Sequence, residues 1–203
     1  MKENIIDHFK HKSKNWDMSS MRVQNAKSIA ELIVKNINFN ESMEVMDLGA
    51  GTGLLSYFIA PHVSKIIAVD NSPSMLEEFK NKALEFDSET EILAADISKD
   101  DLERTFDGII SSMTIHHVED TKALFHKLYT MLNENGFIAI ADLDAENGSF
   151  HSDNTGVHHY GFDREMLKSI AKEAGFKDIR FDLASTINKP HCTFSVFLMT
   201  AVK

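Results

Sequence analysis

The residues in this sequence whose types and spacing could do chemistry fall into two groups. Gly49, Gly51 and Gly53 stand at alternate positions behind an apolar run that starts at Met43 and ahead of a second apolar run over 54–59. That order reads as a buried strand, a glycine turn and a helix start. Glycine takes positive φ and lets a ligand approach the main chain with no Cβ in the way, and amides at a helix start can face a polar or anionic group. A nucleotide-type cofactor suits such a turn; a tight strand-to-helix connection with no ligand is the plain alternative. The second group is histidine: His116 and His117 are adjacent, and His151, His158 and His159 follow in a polar stretch that begins with Asp142 and Asp144. An imidazole can take a proton near neutral pH, hold zinc, iron or nickel together with carboxylates, or only orient a loop through backbone carbonyls.

Spacing narrows the cofactor. A dinucleotide fingerprint has the form G-x-G-x-x-G, but the third position here is Leu54 and the third glycine comes one residue early, at Gly53. No Tyr-x-x-x-Lys pair accompanies it, so a nicotinamide cofactor is disfavoured. Asp47, on the approach to the turn, would repel a pyrophosphate and favour a cationic amino group. An amino-acid-bearing nucleoside therefore fits better. Residues 65–70 read as the second strand and end in Asp70, about twenty residues past the first glycine, where a carboxylate can accept both ribose hydroxyls. Asp70 could instead cap the next helix, but Ser72 with Pro73 after it is the better cap.

With these residues in view, the chain resembles the class I S-adenosylmethionine-dependent methyltransferases, whose first motif is hydrophobic-x-Asp/Glu-x-Gly-x-Gly-x-Gly. Asp47, Gly49, Gly51 and Gly53 match it position by position, and the resemblance runs from about Met43 to the C-terminus. It implies S-adenosylmethionine as cofactor, bordered by Ala50 in the turn and by Asp70 and Asn71 at the ribose. It also gives Asp96 and Ile97 to the adenine, although an acid at a strand exit can equally be a loop residue. Phe106-Asp107 followed by His116-His117-Val118 resembles a segment of the small-molecule methyltransferases of the ubiquinone/menaquinone-biosynthesis type. On that resemblance Ser112 and Met113 border the cofactor, and His116 and His117 face the acceptor as catalytic candidates. The implied activity is methyl transfer to a small-molecule acceptor. The rival classes are an S-adenosylmethionine-binding regulator without transferase activity and, less favoured, a nicotinamide-dependent oxidoreductase.

Positioning these residues takes strands and helices in alternation, which predicts an α/β fold. The resemblance makes it a three-layer Rossmann-like methyltransferase fold, with a seven-stranded, mostly parallel sheet and an antiparallel C-terminal hairpin. Helical spacing of Val23, Ala26, Ala30, Ile33 and Val34 predicts an amphipathic helix over 20–36, behind an arm over 1–19 that carries Phe9 and Trp16. Further helices are expected over 73–84, 121–132 and 163–174, the last capped by Asp163 and closed by Gly175. Strands are expected over 91–96, 106–112, 137–141, 177–183 and 193–202. A single domain follows, with 1–40 as a helical cap, 41–203 as the cofactor-binding core and 142–161 as an acceptor-side loop, since a loop of that length inside a compact domain is usually functional.

Composition bounds the rest. The chain has 203 residues and is 43% hydrophobic, enough for one sizeable core. A net charge of −10 gives no basic footprint, so no nucleic-acid partner is expected. Cys192 is the single cysteine, which excludes an internal disulfide framework and disfavours arsenic as acceptor, since that chemistry wants thiolates. No apolar run reaches spanning length, so no membrane partner and a cytoplasmic location are expected. His151, His158 or His159 with Asp142 or Asp144, joined by His116 or His117, form a conceivable ligand set, but their spacing matches no tight metal motif and no metal is expected. The sequence bears on neither the methylated atom nor self-association.

Overall fold

A computed structural model describes residue 7, residues 12–190 and residues 192–203; Phe9 of the arm lies outside the described residues. The strands are β1 (Glu44–Leu48), β2 (Lys65–Asp70), β3 (Glu89–Ala94), β4 (Phe106–Ser112), β5 (Leu132–Leu143), β6 (Lys177–Lys189) and β7 (Cys192–Val202). The helices are α1 (Ser20–Asn36), α2 (Leu54–Ile59), α3 (Pro73–Lys82), α4 (Thr121–Thr130) and α5 (Arg164–Ala174). All seven strands form one sheet in the order β3-β2-β1-β4-β5-β7-β6. The first five pair in parallel, and β7 runs antiparallel to both β5 and β6. The expected hairpin is therefore present, longer than its sequence pattern indicated.

Alternation along the central strands sorts side chains onto two faces, as a pleat of period two requires. Met46, Ile67, Ile109, Ile138 and Met199 pack with Leu124, Phe125 and Leu128 of α4 and Leu167 and Ile170 of α5. Val45, Ile66, Ile110, Ala139 and Leu198 pack with Ile29 and Ile33 of α1, Leu55 and Ile59 of α2 and Phe79 of α3 on the other face. Each of these buried side chains larger than alanine contributes roughly 1.5–3 kcal/mol. This is the three-layer arrangement, and it fixes the C-terminal edge of β1, β2 and β4, where the candidate site lies.

Local signals account for most boundaries. The Ser72 hydroxyl accepts the Met75 amide with Pro73 at the first helical position, Asp163 does the same for Met166, and Gly175 ends α5 at φ 111°. Three expectations are corrected. β3 stops at Ala94, because Asp96 and Ser98 close a turn in which both the amide and hydroxyl of Ser98 donate to the Asp96 carboxylate. β5 begins at Leu132 rather than 137, with Asn135 at φ 63° and a register slip against β4 between Phe106 and Gly108. Asp142 and Leu143 belong to β5, not to the loop, and are buried.

Candidate active site

β1 ends at Leu48 and the chain turns through three glycines at positive φ: 68° at Gly49, 54° at Gly51 and 82° at Gly53. The turn is held from within. The Gly49 and Ala50 amides donate to the Val69 carbonyl at 2.8 and 3.2 Å, and the Gly53 amide donates to Ala50 at 2.8 Å. The Gly51 amide donates to the Asp70 carboxylate at 2.8 Å. Four amides are thus committed and a carboxylate stands at Gly51, so the turn is not built for a phosphate.

The glycines divide by what a side chain would meet. A Cβ on Gly49 would lie 2.2 Å from Thr114, and one on Gly53 would lie 2.7 Å from the Phe79 ring. On Gly51 it would meet nothing nearer than the Gly49 carbonyl at 4.0 Å. Gly49 and Gly53 are small because the protein packs against them, whereas Gly51 faces open space that a ligand can fill.

Acids stand at or just past the C-terminal ends of β1, β2 and β3. Asp47 is 1% exposed, and Ser56 donates to it from its hydroxyl at 2.6 Å and from its backbone amide. Burial pushes the Asp47 carboxyl up to about 7, helped by Asp70 and opposed by Ser56. Asp47 therefore looks toward α2, and no cationic side chain pairs with it among the described residues. Asp70 accepts the Ser72 amide at 2.8 Å on the oxygen not used by Gly51. Burial raises its carboxyl above the ordinary range despite these amides. The Asn71 amide also reaches this carboxylate, and the acceptor capacity left over is open to a ribose hydroxyl. Asn71 follows, exposed. Asp96 is drawn below its ordinary range: desolvation pushes upward, and Ser98 together with Lys99 overcomes it. Ala50 and Ile97 are buried among core side chains, which leaves their backbone as the part a ligand can touch.

The far wall comes from the exit of β4. Met113 takes φ 57° with its amide on the Ala141 carbonyl, and the Thr114 hydroxyl reaches the carbonyls of Ser112 at 3.1 Å and Gly49 at 3.4 Å. His116 and His117 follow in a 3-10 turn, Ile115–His117. His116 is 1% exposed, with Nδ1 2.7 Å from Asp142 Oδ1. The His117 Nδ1–H donates to the Gly156 carbonyl at 2.6 Å. His151 comes in from the loop, its ring centroid 5.1 Å from that of His116. Burial and the neighbouring imidazoles hold the His117 ring below its ordinary value and push His151 down to about 4. The rings of His158 and His159 are not part of that close cluster: His159 is bonded to the Val118 and Glu119 carbonyls, and His158 adds only a like-charge influence at His117. Asp144 is likewise engaged, by Arg164.

Sequence reasoning missed two contributors, Ser56 and Thr114, which act through contacts that no local pattern announces. The expected N-terminal cap contributes two acids: Asp17 accepts from the Thr52 hydroxyl at 2.6 Å and pairs with Lys82, while Asp7 accepts from the Ser72 hydroxyl at 2.8 Å and the Ser74 amide at 3.1 Å. Asp17 thereby sits at the glycine turn and Asp7 at the start of α3. Among the described residues no helix is long and apolar enough to cross a membrane.

Fold and site together define a Rossmann-like α/β protein with open space beside Gly51 of a glycine turn and an acid, Asp70, bonded to that turn. Residues 20–180 match the family model of a methyltransferase domain, and the chain belongs to that family. It is 28% identical over 162 residues to an uncharacterised methyltransferase of Schizosaccharomyces pombe, covering 71% of this chain and 57% of that one. It is 30% identical over 129 residues to the malonyl-[acyl-carrier protein] O-methyltransferase of Priestia megaterium, covering 61% and 46%. The chain thus spans about half the length of these relatives. Its fold is that of phosphoethanolamine N-methyltransferase 2 of Haemonchus contortus, solved with S-adenosyl-L-methionine, at a TM-score of 0.74 and 17% identity over 98% of this chain and 60% of that one.

Proposed function

We propose that this chain transfers a methyl group from S-adenosylmethionine to a small-molecule acceptor. The observation that carries the reading is the open face of Gly51, whose amide is held by the Asp70 carboxylate. A phosphate-bearing cofactor is opposed there by charge. A nucleoside with ribose hydroxyls and a cationic amino group is favoured.

The cofactor supplies a methyl already activated on a sulfonium, so the protein's work is alignment and exclusion of water. Asp70 takes the ribose hydroxyls on the acceptor capacity that the Gly51, Ser72 and Asn71 amides leave. Asp96 and the Ile97 backbone border the base, and Asn71 closes the ribose edge. Gly49, Ala50, Gly51 and Gly53 shape the turn, with Ser112 and Met113 on the opposite wall. Asp47 favours the amino group, because a cation nearby stabilises its ionised form. His116 and His117 act on the acceptor: Nδ1 of each is held by Asp142 or by the Gly156 carbonyl, which makes Nε2 the atom that takes an acceptor proton. The phosphoethanolamine and (S)-coclaurine N-methyltransferases among the similar proteins support a small acceptor.

Calorimetry with S-adenosylmethionine, S-adenosylhomocysteine and NAD tests the cofactor, with binding expected for the first two only. Release of S-adenosylhomocysteine with a panel of amine, hydroxyl and carboxyl acceptors tests transfer. Absence of S-adenosylmethionine binding would overturn the reading, and binding without turnover on any acceptor would leave a regulator in its place.

A further inference from the structure

The loop and the turn after β4 bring together three histidines that nothing in the cofactor site requires to meet. One ring nitrogen each from His116, His117 and His151 lies within 4.8 Å of the other two, which makes this the only cluster of three such groups among the described residues. The rings are close, with centroids 4.2 Å apart for His116 and His117 and 5.8 Å apart for His117 and His151. Packing alone leaves a debt: Nε2 of His116 and Nε2 of His151 are buried with no hydrogen-bond partner among the described residues. A buried polar atom left that way costs about 1–3 kcal/mol, and here two such atoms sit on neighbouring rings.

The opposite ends of two of the rings are fastened as metal-bound histidines usually are. His116 is backed by the Asp142 carboxylate at 2.7 Å, and that carboxylate is itself held by the Leu143 amide at 2.7 Å and the His116 amide at 3.3 Å. His117 is backed by the Gly156 carbonyl at 2.6 Å. Partners of this kind fix the tautomer and turn the outer nitrogen toward an ion. Ligand nitrogens around a tetrahedral zinc lie about 3.4 Å apart, so the cluster needs only a modest inward movement. His151, on the half-buried loop, is the residue placed to make it.

We propose that His116, His117 and His151 bind a divalent first-row transition ion, Zn²⁺ being the best match, with Asp142 positioning His116. Three imidazoles leave a fourth tetrahedral position for water or for an acceptor heteroatom. The cluster starts two residues beyond Thr114, which touches the glycine turn, so this site deepens the proposed function and rests on it only for the acceptor's role. There, coordination of the acceptor by the ion would replace proton uptake by the histidines. The Lys189 ammonium, bonded to the Phe150 carbonyl next to His151, works against a cation, and the Asp142 carboxylate offsets it.

The test uses protein without an affinity tag, stripped by chelator and titrated with Co²⁺, whose visible spectrum reports tetrahedral coordination, and then with Zn²⁺ in competition. One ion per chain with a tetrahedral spectrum is expected. His151→Ala and His116→Ala should each lower affinity at least tenfold, and Asp142→Asn about tenfold to a hundredfold. His151 lies outside the core, so its variant should keep the parent's affinity for S-adenosylmethionine and its melting temperature. A parent that binds no ion, or a His151→Ala variant that binds as tightly as the parent, would overturn the proposal. Calorimetry with S-adenosylmethionine on the same samples separates that failure from failure of the methyltransferase reading.

Discussion

The Asp70 carboxylate accepts the Gly51 amide at 2.8 Å, so the acid at the end of β2 and the glycine that faces open space form one unit. The group proposed to hold the ribose also holds the turn in the shape that leaves room for it. Binding and preorganisation are therefore lost together when Asp70 is removed.

Asp70→Ala should raise the dissociation constant for S-adenosylmethionine by about tenfold to a hundredfold, the equivalent of one or two hydrogen bonds to a charged group. A small fall in melting temperature should accompany it as the Gly51 amide loses its partner. Calorimetry on the folded variant measures the first effect, and parental affinity would remove Asp70 from the site.

The three turn glycines should separate cleanly. Gly51→Ala has room for its Cβ and bears only the left-handed backbone penalty, about 1–2 kcal/mol, yet its methyl enters the ligand's space. It should fold and fail to be stabilised by S-adenosylmethionine. Gly49→Ala drives a methyl to 2.2 Å from Thr114 and should lose more stability even without ligand. Thermal scans with and without cofactor distinguish the two, and a full ligand-induced shift in Gly51→Ala would contradict the open-cradle assignment.

Asp47 makes stability depend on pH in a definite direction. Its carboxyl rises from 3.8 in the ordinary state to about 7 when folded, so the native protein holds the extra proton across that interval. The resulting stability is full below about pH 4 and is lost as pH climbs through 7, up to on the order of 4 kcal/mol. Other groups titrate in the same range, so the readout is the difference between the parent and Asp47→Asn in denaturant unfolding at several pH values. That difference should move against the parent as pH rises, and a constant difference would mean that Asp47 is ionised throughout.

Asp17 ties the arm to Thr52 in the turn and to Lys82 at the end of α3. Asp17→Ala should release the arm and speed S-adenosylmethionine dissociation by about threefold to tenfold, as loss of a hydrogen bond would allow. Stopped-flow displacement by S-adenosylhomocysteine measures the rate. An unchanged rate would make the arm a packing element alone.

Much of this was legible in the residues because the relevant signals are local. The spacing of the glycines, Ser72 before Pro73, Asp163 three residues ahead of Met166 and the apolar runs of the strands all act within a few positions. The misplaced features depend on distant partners. Asp142 reads as the first loop acid until the sheet pairs it with His116, and His158 and His159 look like ligands until the fold leaves both rings outside the close cluster, that of His159 on the Val118 and Glu119 carbonyls. Thr114 explains Gly49 only once β4 lies beside β1 in register, Leu48 opposite Ser111. In each case the partner is tens of residues away, and no pattern of period two or 3.6 carries that information.

The reversed strand β7 also sets the order of events as the chain is made. It lies between β5 and β6, so β6 has no place in the sheet until β7 has emerged, and the apolar edge of β5 waits about fifty residues for its neighbour. At typical synthesis rates that is several seconds during which an unpaired strand edge is open to other nascent chains. Of the seven strands, the last to leave the ribosome is the one that seals the sheet.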